Sequence, residues 1–66
     1  MKYWHREKRQ QIEMPNVEKF LNEIADVCRR HNMVLGHEDT QGAFLVEGLD
    51  KEGLEWVLGA HVGNLN

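Results

Sequence analysis

The stretch that decides the fold is residues 33–54, MVLGHEDTQGAFLVEGLDKEGL, in which two alternating apolar segments flank a polar turn and lead into a helix start. The first segment carries Met33 and Leu35, and the second carries Phe44 and Val46. Alternation with a period of two predicts a β-hairpin. A four-residue loop that ends in glycine pairs Leu35 with Val46, and this register gathers the four apolar side chains on one face.

This face is expected to pack on the preceding helix, with Phe44 and Leu21 buried where the two elements meet. The opposite face of the hairpin, with Val34 and Leu45, is also partly apolar. A hairpin that is apolar on both faces needs a second cover. The simplest cover is a twofold partner, so we expect a homo-oligomer that completes the hairpin.

Upstream of the hairpin, residues 16–31 have the apolar period of an α-helix. Asn16 is its predicted N-cap, directly after Pro15, and Asn32 can take the left-handed conformation that ends it. The face predicted to be buried consists of Val17, Phe20, Leu21, Ile24, Val27, Cys28 and His31.

Downstream, Asp50 is the predicted N-cap of a last helix that Gly63 ends. Its inner stripe consists of Leu54, Val57, Leu58, His61 and Val62. Trp56 falls outside that stripe and is expected to face outward in a monomer. Gly53 and Gly59 each weaken the helix by up to about 1 kcal/mol relative to Ala. We therefore expect the helix to be stabilised by contact with a partner.

Charge separates the N-terminus from the rest of the chain. Residues 1–15 carry four basic and two acidic side chains, a net of +2, whereas residues 16–66 carry four basic and nine acidic ones, a net of −5. The predicted organisation is a basic N-terminal arm, 1–15, with too few apolar anchors to bury against the body, and a single αββα domain, 16–66, of the α+β class. The acidic body disfavours nucleic-acid binding.

Length and cysteine content bound the class of protein. A chain of 66 residues buries only about 60% of its unfolded surface, and its one cysteine cannot form an internal disulfide. No apolar run reaches the roughly 18 residues of a membrane span, and the N-terminus is charged where a signal peptide is apolar. We expect a cytoplasmic protein with no membrane contact.

The turn holds three adjacent polar side chains, His37, Glu38 and Asp39, which is more than a turn requires. They could serve acid–base chemistry or bind a divalent metal. Consecutive strand residues point to opposite faces, however, so Glu38 does not easily join its neighbours in one pocket. The sequence also lacks a nucleophile elbow and a glycine-rich phosphate loop, so we expect no catalysis.

Cys28, His31 and His37 form a second candidate, a zinc site with Cys-x-x-His spacing. Only three ligands are present, Cys28 fits the apolar stripe, and His31 suits the negative end of a helix. We therefore expect no metal and no cofactor.

Residues 27–57, VCRRHNMVLGHEDTQGAFLVEGLDKEGLEWV, resemble a group of short proteins encoded by tailed bacteriophages. The matching residues are Cys28, Arg29, His31, Leu35, His37, Glu38, Asp39, Gly42, Ala43, Phe44 and Trp56. The resemblance implies a phage accessory protein. Together with the expected lack of catalysis and the expected cytoplasmic location, it gives a non-enzymatic protein of the host-cell cytoplasm. Such proteins commonly bind and disable a host protein, or sequester a nucleotide signal used in antiviral defence, so an anti-defence role is implied.

Two binding hypotheses follow. In the first, a host protein is captured, with the basic arm assisting, by His37, Glu38, Asp39, Gln41 and Trp56. In the second, a small nucleotide-type ligand lies between protomers, with Trp56 or Tyr3 stacked on its base and its phosphate bound by Arg6, Arg9, Arg29 or Arg30. Trp4 of the basic arm is a further candidate binding residue. A metal-dependent or acid–base enzyme is the third alternative.

Overall fold

The computed structural model describes residues 1–38, 40 and 42–66. Within them the chain forms two separate antiparallel hairpins and two helices, which confirms the α+β class. The elements in chain order are β1 (Lys2–His5), β2 (Gln10–Glu13), α1 (Pro15–His31), β3 (Met33–His37), β4 (Phe44–Gly48) and α2 (Lys51–Leu58). No helix in this part of the chain is long and apolar enough to cross a bilayer.

The N-terminal segment differs most from the sequence-based expectation. In the structure, residues 1–15 are not a loose arm, because β1 and β2 form a β-hairpin. Tyr3 lies opposite Ile12, and Arg9 takes a positive φ of 56° at the turn. Tyr3 and His5 lie on the same face of β1 and are only 3% and 1% exposed. The expectation that this segment buries little was wrong, because a histidine and a tyrosine supply the buried surface.

The C-terminal segment closes over this hairpin. Helix α2 stops at its C-cap Gly59, four residues before the predicted Gly63, so the last predicted turn is not helical. Val62 instead makes a parallel bridge to β1: its N–H donates to the Trp4 carbonyl at 2.8 Å, and its carbonyl accepts the Arg6 N–H at 2.8 Å. These strand-type hydrogen bonds replace the ones a longer helix would have made.

The His5 imidazole links the N-terminal hairpin to the C-terminal segment, at a contact that we call the junction. Its Nδ1 accepts the backbone N–H of Lys8 at 3.2 Å, and its Nε2 bonds to the carbonyl of Leu65. Because Nδ1 is an acceptor, the proton of the neutral ring lies on Nε2, which donates to that carbonyl. One buried ring therefore joins β1, the following turn and the C-terminal segment.

The main core lies between the N-terminal hairpin, α1 and the C-terminal segment. Its buried members are Tyr3, Met14, Val17, Leu21 and Val62. Helix α1 begins one residue before the predicted start, because Pro15 is its first residue and Met14 its N-cap. Proline suits that position, since the N–H it lacks would have no helical partner there.

Only one side of the predicted stripe of α1 is buried. The buried residues of the helix are Val17, Leu21, Ala25 and Cys28. Phe20, Val27 and His31, which were expected to be inside, are exposed. The helix ends as predicted at Asn32, which has φ 59° and ψ 38°.

The β3–β4 hairpin has the predicted register, with Leu35 opposite Val46 and His37 opposite Phe44. Its orientation is the reverse of the expected one. Val34 is 2% exposed, whereas Phe44 is 67% exposed, so the expectation that Phe44 lies in the core was wrong. The buried face is the one that packs on α2.

Gly53 explains this choice of face. A Cβ built on Gly53 would lie 2.5 Å from Cγ2 of Val34 and 2.8 Å from Oδ1 of Asp50, which accepts the Gly53 N–H as the N-cap of α2. The missing side chain therefore lets α2 approach Val34 closely enough to bury it.

Replacing Gly53 with Ala should destabilise the protein by about 1 to 3 kcal/mol, although Ala is the better helix former by about 1 kcal/mol. The added methyl group must displace Val34 or the Asp50 cap. Urea unfolding at a fixed protein concentration measures the change. Gly63→Ala is the matched control, because nothing lies within 4 Å of its Cβ position. A higher urea midpoint for Gly53→Ala would contradict this account of the packing.

Replacing His5 with Ala should cost at least about 2 kcal/mol of unfolding free energy, since it leaves a cavity and removes the partners of the Lys8 N–H and the Leu65 carbonyl. The exposed His61 provides the control, and His61→Ala should change stability by less than about 0.5 kcal/mol. Amide exchange at Val62 should accelerate only in the His5 variant. Equal stability of the two variants would show that His5 does not hold the junction.

Candidate functional site

An exposed apolar surface runs from α1 onto the β3–β4 hairpin. We call it the α1–hairpin face and define it by Ile24, Val27, Met33, Leu35 and Val46. Val27, Met33 and Val46 are all exposed by 45% or more, and Ile24 and Leu35 are half-buried. Contiguous exposed apolar patches are a common feature of protein interaction sites.

Two shallow clefts lie along this face. One, of about 550 Å³, is bordered by Ile24, Leu35 and Trp56, and the other, of about 230 Å³, by Ile24, Val27 and Leu35. Ile24 and Leu35 border both clefts, which therefore adjoin at these two side chains. We refer to the pair of clefts as the groove. Trp56 is 50% exposed at its edge, in agreement with the outward position expected for it.

Two further aromatic side chains extend the apolar surface. Phe44 lies two residues before Val46 on β4, and Phe20 lies one helical turn before Ile24 on α1. Both rings are at least 60% exposed. The sequence contained the signal for this surface, since Phe20 and Val27 belong to the predicted stripe, but periodicity alone does not tell which side of a wide stripe is buried.

The polar turn has a structural component. The Glu38 N–H donates to the Ala43 carbonyl at 3.0 Å, and Oε1 of Glu38 accepts the Thr40 N–H at 2.7 Å. The Glu38 side chain therefore stabilises the turn. His37 is exposed at the end of β3. Asp39 and Gln41, also predicted to contact a partner, lie outside the described residues.

The three candidate zinc ligands, Cys28, His31 and His37, do not all border one cleft in the structure. Cys28 is a buried free thiol in the core-facing stripe of α1, and together with His31 it borders the smaller cleft. His37 lies further along β3 and does not border that cleft. Among the described residues, no three His, Cys, Asp or Glu side chains come close enough together to hold a metal ion.

The two aromatic binding candidates of the N-terminus are mostly enclosed. Tyr3 is a core residue, so its ring cannot stack on a base, and Trp4 is half-buried. This corrects the expectation for Tyr3, whose ring packs in the core beside Val62.

The four candidate arginines are exposed but belong to two different elements. Arg6 and Arg9 lie on the β1–β2 turn, and Arg29 and Arg30 lie in the last turn of α1. Nη1 of Arg29 already pairs with Oδ1 of Asp26 at 2.9 Å. The acidic side chain reduces the positive charge that Arg29 offers to a phosphate.

Comparison of the chain with known protein families, curated proteins and solved structures finds no match. Its function is therefore inferred from the surface just described.

Burial of Tyr3 also has an electrostatic consequence. Desolvation raises the pKa of its phenol above the ordinary value, and the carboxylates of Glu18 and Glu13 raise it further by disfavouring a second negative charge. The neutral phenol is therefore the form that the folded state favours.

We expect the single tyrosine of the chain to ionise in the folded protein only above its ordinary pKa of about 10. Because the pKa is raised in the folded state, its contribution to stability is complete below about pH 10 and is lost as the pH rises through the raised value. Phenolate absorbance during an alkaline titration measures this, with the urea-unfolded chain as the control. Identical titration curves in the two states would show that Tyr3 is solvated.

Proposed function

We propose that this protein is a non-catalytic binding protein that captures another protein through the α1–hairpin face. The observation that carries the proposal is the exposure of Val27, Met33 and Val46 on the face that holds the two adjoining clefts of the groove. Burial of such side chains against a partner is the dominant favourable term in most protein associations. The exposed Trp56 at the groove edge is the residue type most often found among interface hot spots.

The negative charge of residues 16–66 indicates what kind of partner surface would be complementary. Residues 16–66 carry a net charge of −5, and Glu55 borders the larger cleft beside Trp56. A complementary partner has an apolar patch rimmed by Lys or Arg, since opposite charges around an interface speed association and reject wrong partners. The resemblance of residues 27–57 to phage proteins makes a host protein the proposed partner, with an anti-defence role in the host cytoplasm.

The alternative of a small nucleotide-type ligand between protomers has less support. Of its two proposed stacking residues, Tyr3 is in the core, and of its arginines, Arg29 is paired with Asp26. The groove is lined mainly by apolar side chains, which suits a protein surface better than a phosphorylated ligand.

A photo-crosslinking amino acid tests the proposed surface. Placed at Val27 in the protein expressed in bacterial cells, it should yield a specific covalent adduct whose partner is identified by mass spectrometry. The control position is Lys19, which is exposed on another part of α1, beside Glu23 and Asp26. Adducts that form equally at both positions would contradict the proposal.

The identified partner is then purified and its affinity measured by calorimetry. Val27→Asp should weaken binding at least about tenfold, because it buries an unpaired charge in an apolar interface, and Trp56→Ala should also weaken it. Lys19→Asp should change the affinity little. Wild-type affinity of the Val27 variant would rule out this face as the binding surface.

A further inference from the structure

The outer edge of β4 has no partner among the described helices and strands. The strand contacts β3 alone, and all five of its residues are exposed. β3, by contrast, contacts both α1 and α2. The hairpin is therefore covered on the β3 side and open along β4.

The hydrogen bonds at the two ends of the hairpin show which backbone groups face the open edge. The Glu38 N–H donates to the Ala43 carbonyl, and the Leu49 N–H donates to the Asn32 carbonyl. Hydrogen-bonded pairs alternate with non-hydrogen-bonded pairs along an antiparallel ladder. The odd-numbered residues from Ala43 to Leu49 therefore bond to β3. The N–H and C=O groups of the residues between them, Phe44, Val46 and Gly48, point outward from β4.

This edge lacks two residue types that commonly keep exposed strands apart, proline and lysine. The strand sequence, FLVEG, contains no proline and no lysine, and its single charge is Glu47. Phe44 and Val46 project from one face of the strand and Leu45 from the other, so apolar side chains flank the edge on both sides.

We propose that β4 pairs antiparallel with β4 of a second copy of this chain, with the twofold axis at Val46, to form a four-stranded sheet in the order β3, β4, β4, β3. Val46 then lies opposite Val46 of the second copy, and Phe44 lies opposite its Gly48. This register pairs the whole length of both strands. It places all three outward-pointing residues in hydrogen-bonded pairs, which gives about six backbone hydrogen bonds.

The position of Glu47 favours the same register of β4 against β4. Glu47 of one copy lies opposite Leu45 of the other, so no like charges face each other. Displacing the axis to Glu47 would place the two carboxylates directly opposite, which is destabilising, and would also shorten the pairing. Displacing it to Leu45 would bring Gly42, which has a positive φ of 75°, into the ladder.

The smallest stable interfaces bury about 600 Å² of each partner, which is roughly a ninth of the 5191 Å² surface of this chain. Phe44, Leu45 and Val46 extend the buried surface beyond the backbone contact. The inference rests on the strand edge and stands independently of whether the α1–hairpin face captures a host protein.

Charge exchange on the axis tests both the dimer and its register. The wild-type chain should sediment as a dimer at micromolar concentration, and both Val46→Glu and Val46→Lys should sediment as monomers because like charges meet on the axis. An equimolar mixture of the two variants should recover the dimer as a heterodimer. Val46 is 62% exposed, so both variants should keep the circular dichroism of the wild type.

Met33→Glu is the matched control, since Met33 is exposed on the same sheet face but on β3, away from the proposed axis, and it should leave the dimer intact. A wild-type chain that remains monomeric throughout the micromolar range would overturn the proposal. Dimeric Val46→Glu, or a mixture that fails to recover the dimer, would overturn the register. These outcomes do not depend on partner affinity at Val27, so the two proposals fail separately.

Discussion

The close packing of α2 on β3 determines which face of the β3–β4 hairpin reaches solvent. The exposed apolar residues of the hairpin are therefore set by this contact. Gly53 offers no side chain at the point where Val34 packs, so Val34 is buried, whereas Met33, the residue before it, is exposed. Met33, Phe44 and Val46 are exposed as a consequence. A bulkier residue at Gly53 would weaken the contact between α2 and Val34.

The hairpin register could be predicted from the sequence because it depends on local chemistry. A loop of fixed length and the alternation of Leu35 and Val46 with their neighbours leave few registers that keep apolar residues together. The buried face could not be predicted, since both faces carry apolar residues and the choice is made by a contact with α2, eighteen residues from Leu35 at Gly53. Local patterns specify pairing, whereas tertiary packing specifies orientation.

The N-terminal hairpin and the exposure of the α1–hairpin face escaped prediction for related reasons. The burial of His5 depends on Val62 and Leu65 at the other end of the chain, and no pattern within residues 1–15 indicates those partners. At the turn, a surplus of polar side chains suggested recognition, yet the Glu38 carboxylate bonds within the turn itself. The sequence concentrates polar side chains at the turn, whereas the structure exposes apolar side chains on the α1–hairpin face.

Pairing of β4 with a second copy would resolve a physical difficulty of this fold. An open strand edge flanked by Phe44 and Val46 can template indefinite association, which a small domain must avoid to remain soluble. A twofold interface uses the same strand on both partners and therefore closes at two copies, whereas a heterologous contact would propagate. Because β3 contacts both helices, the outer strands of the proposed four-stranded sheet are already partly covered. The two α1–hairpin faces would then meet across the Val46 axis, so the contact that satisfies the edge also joins the two apolar surfaces into one.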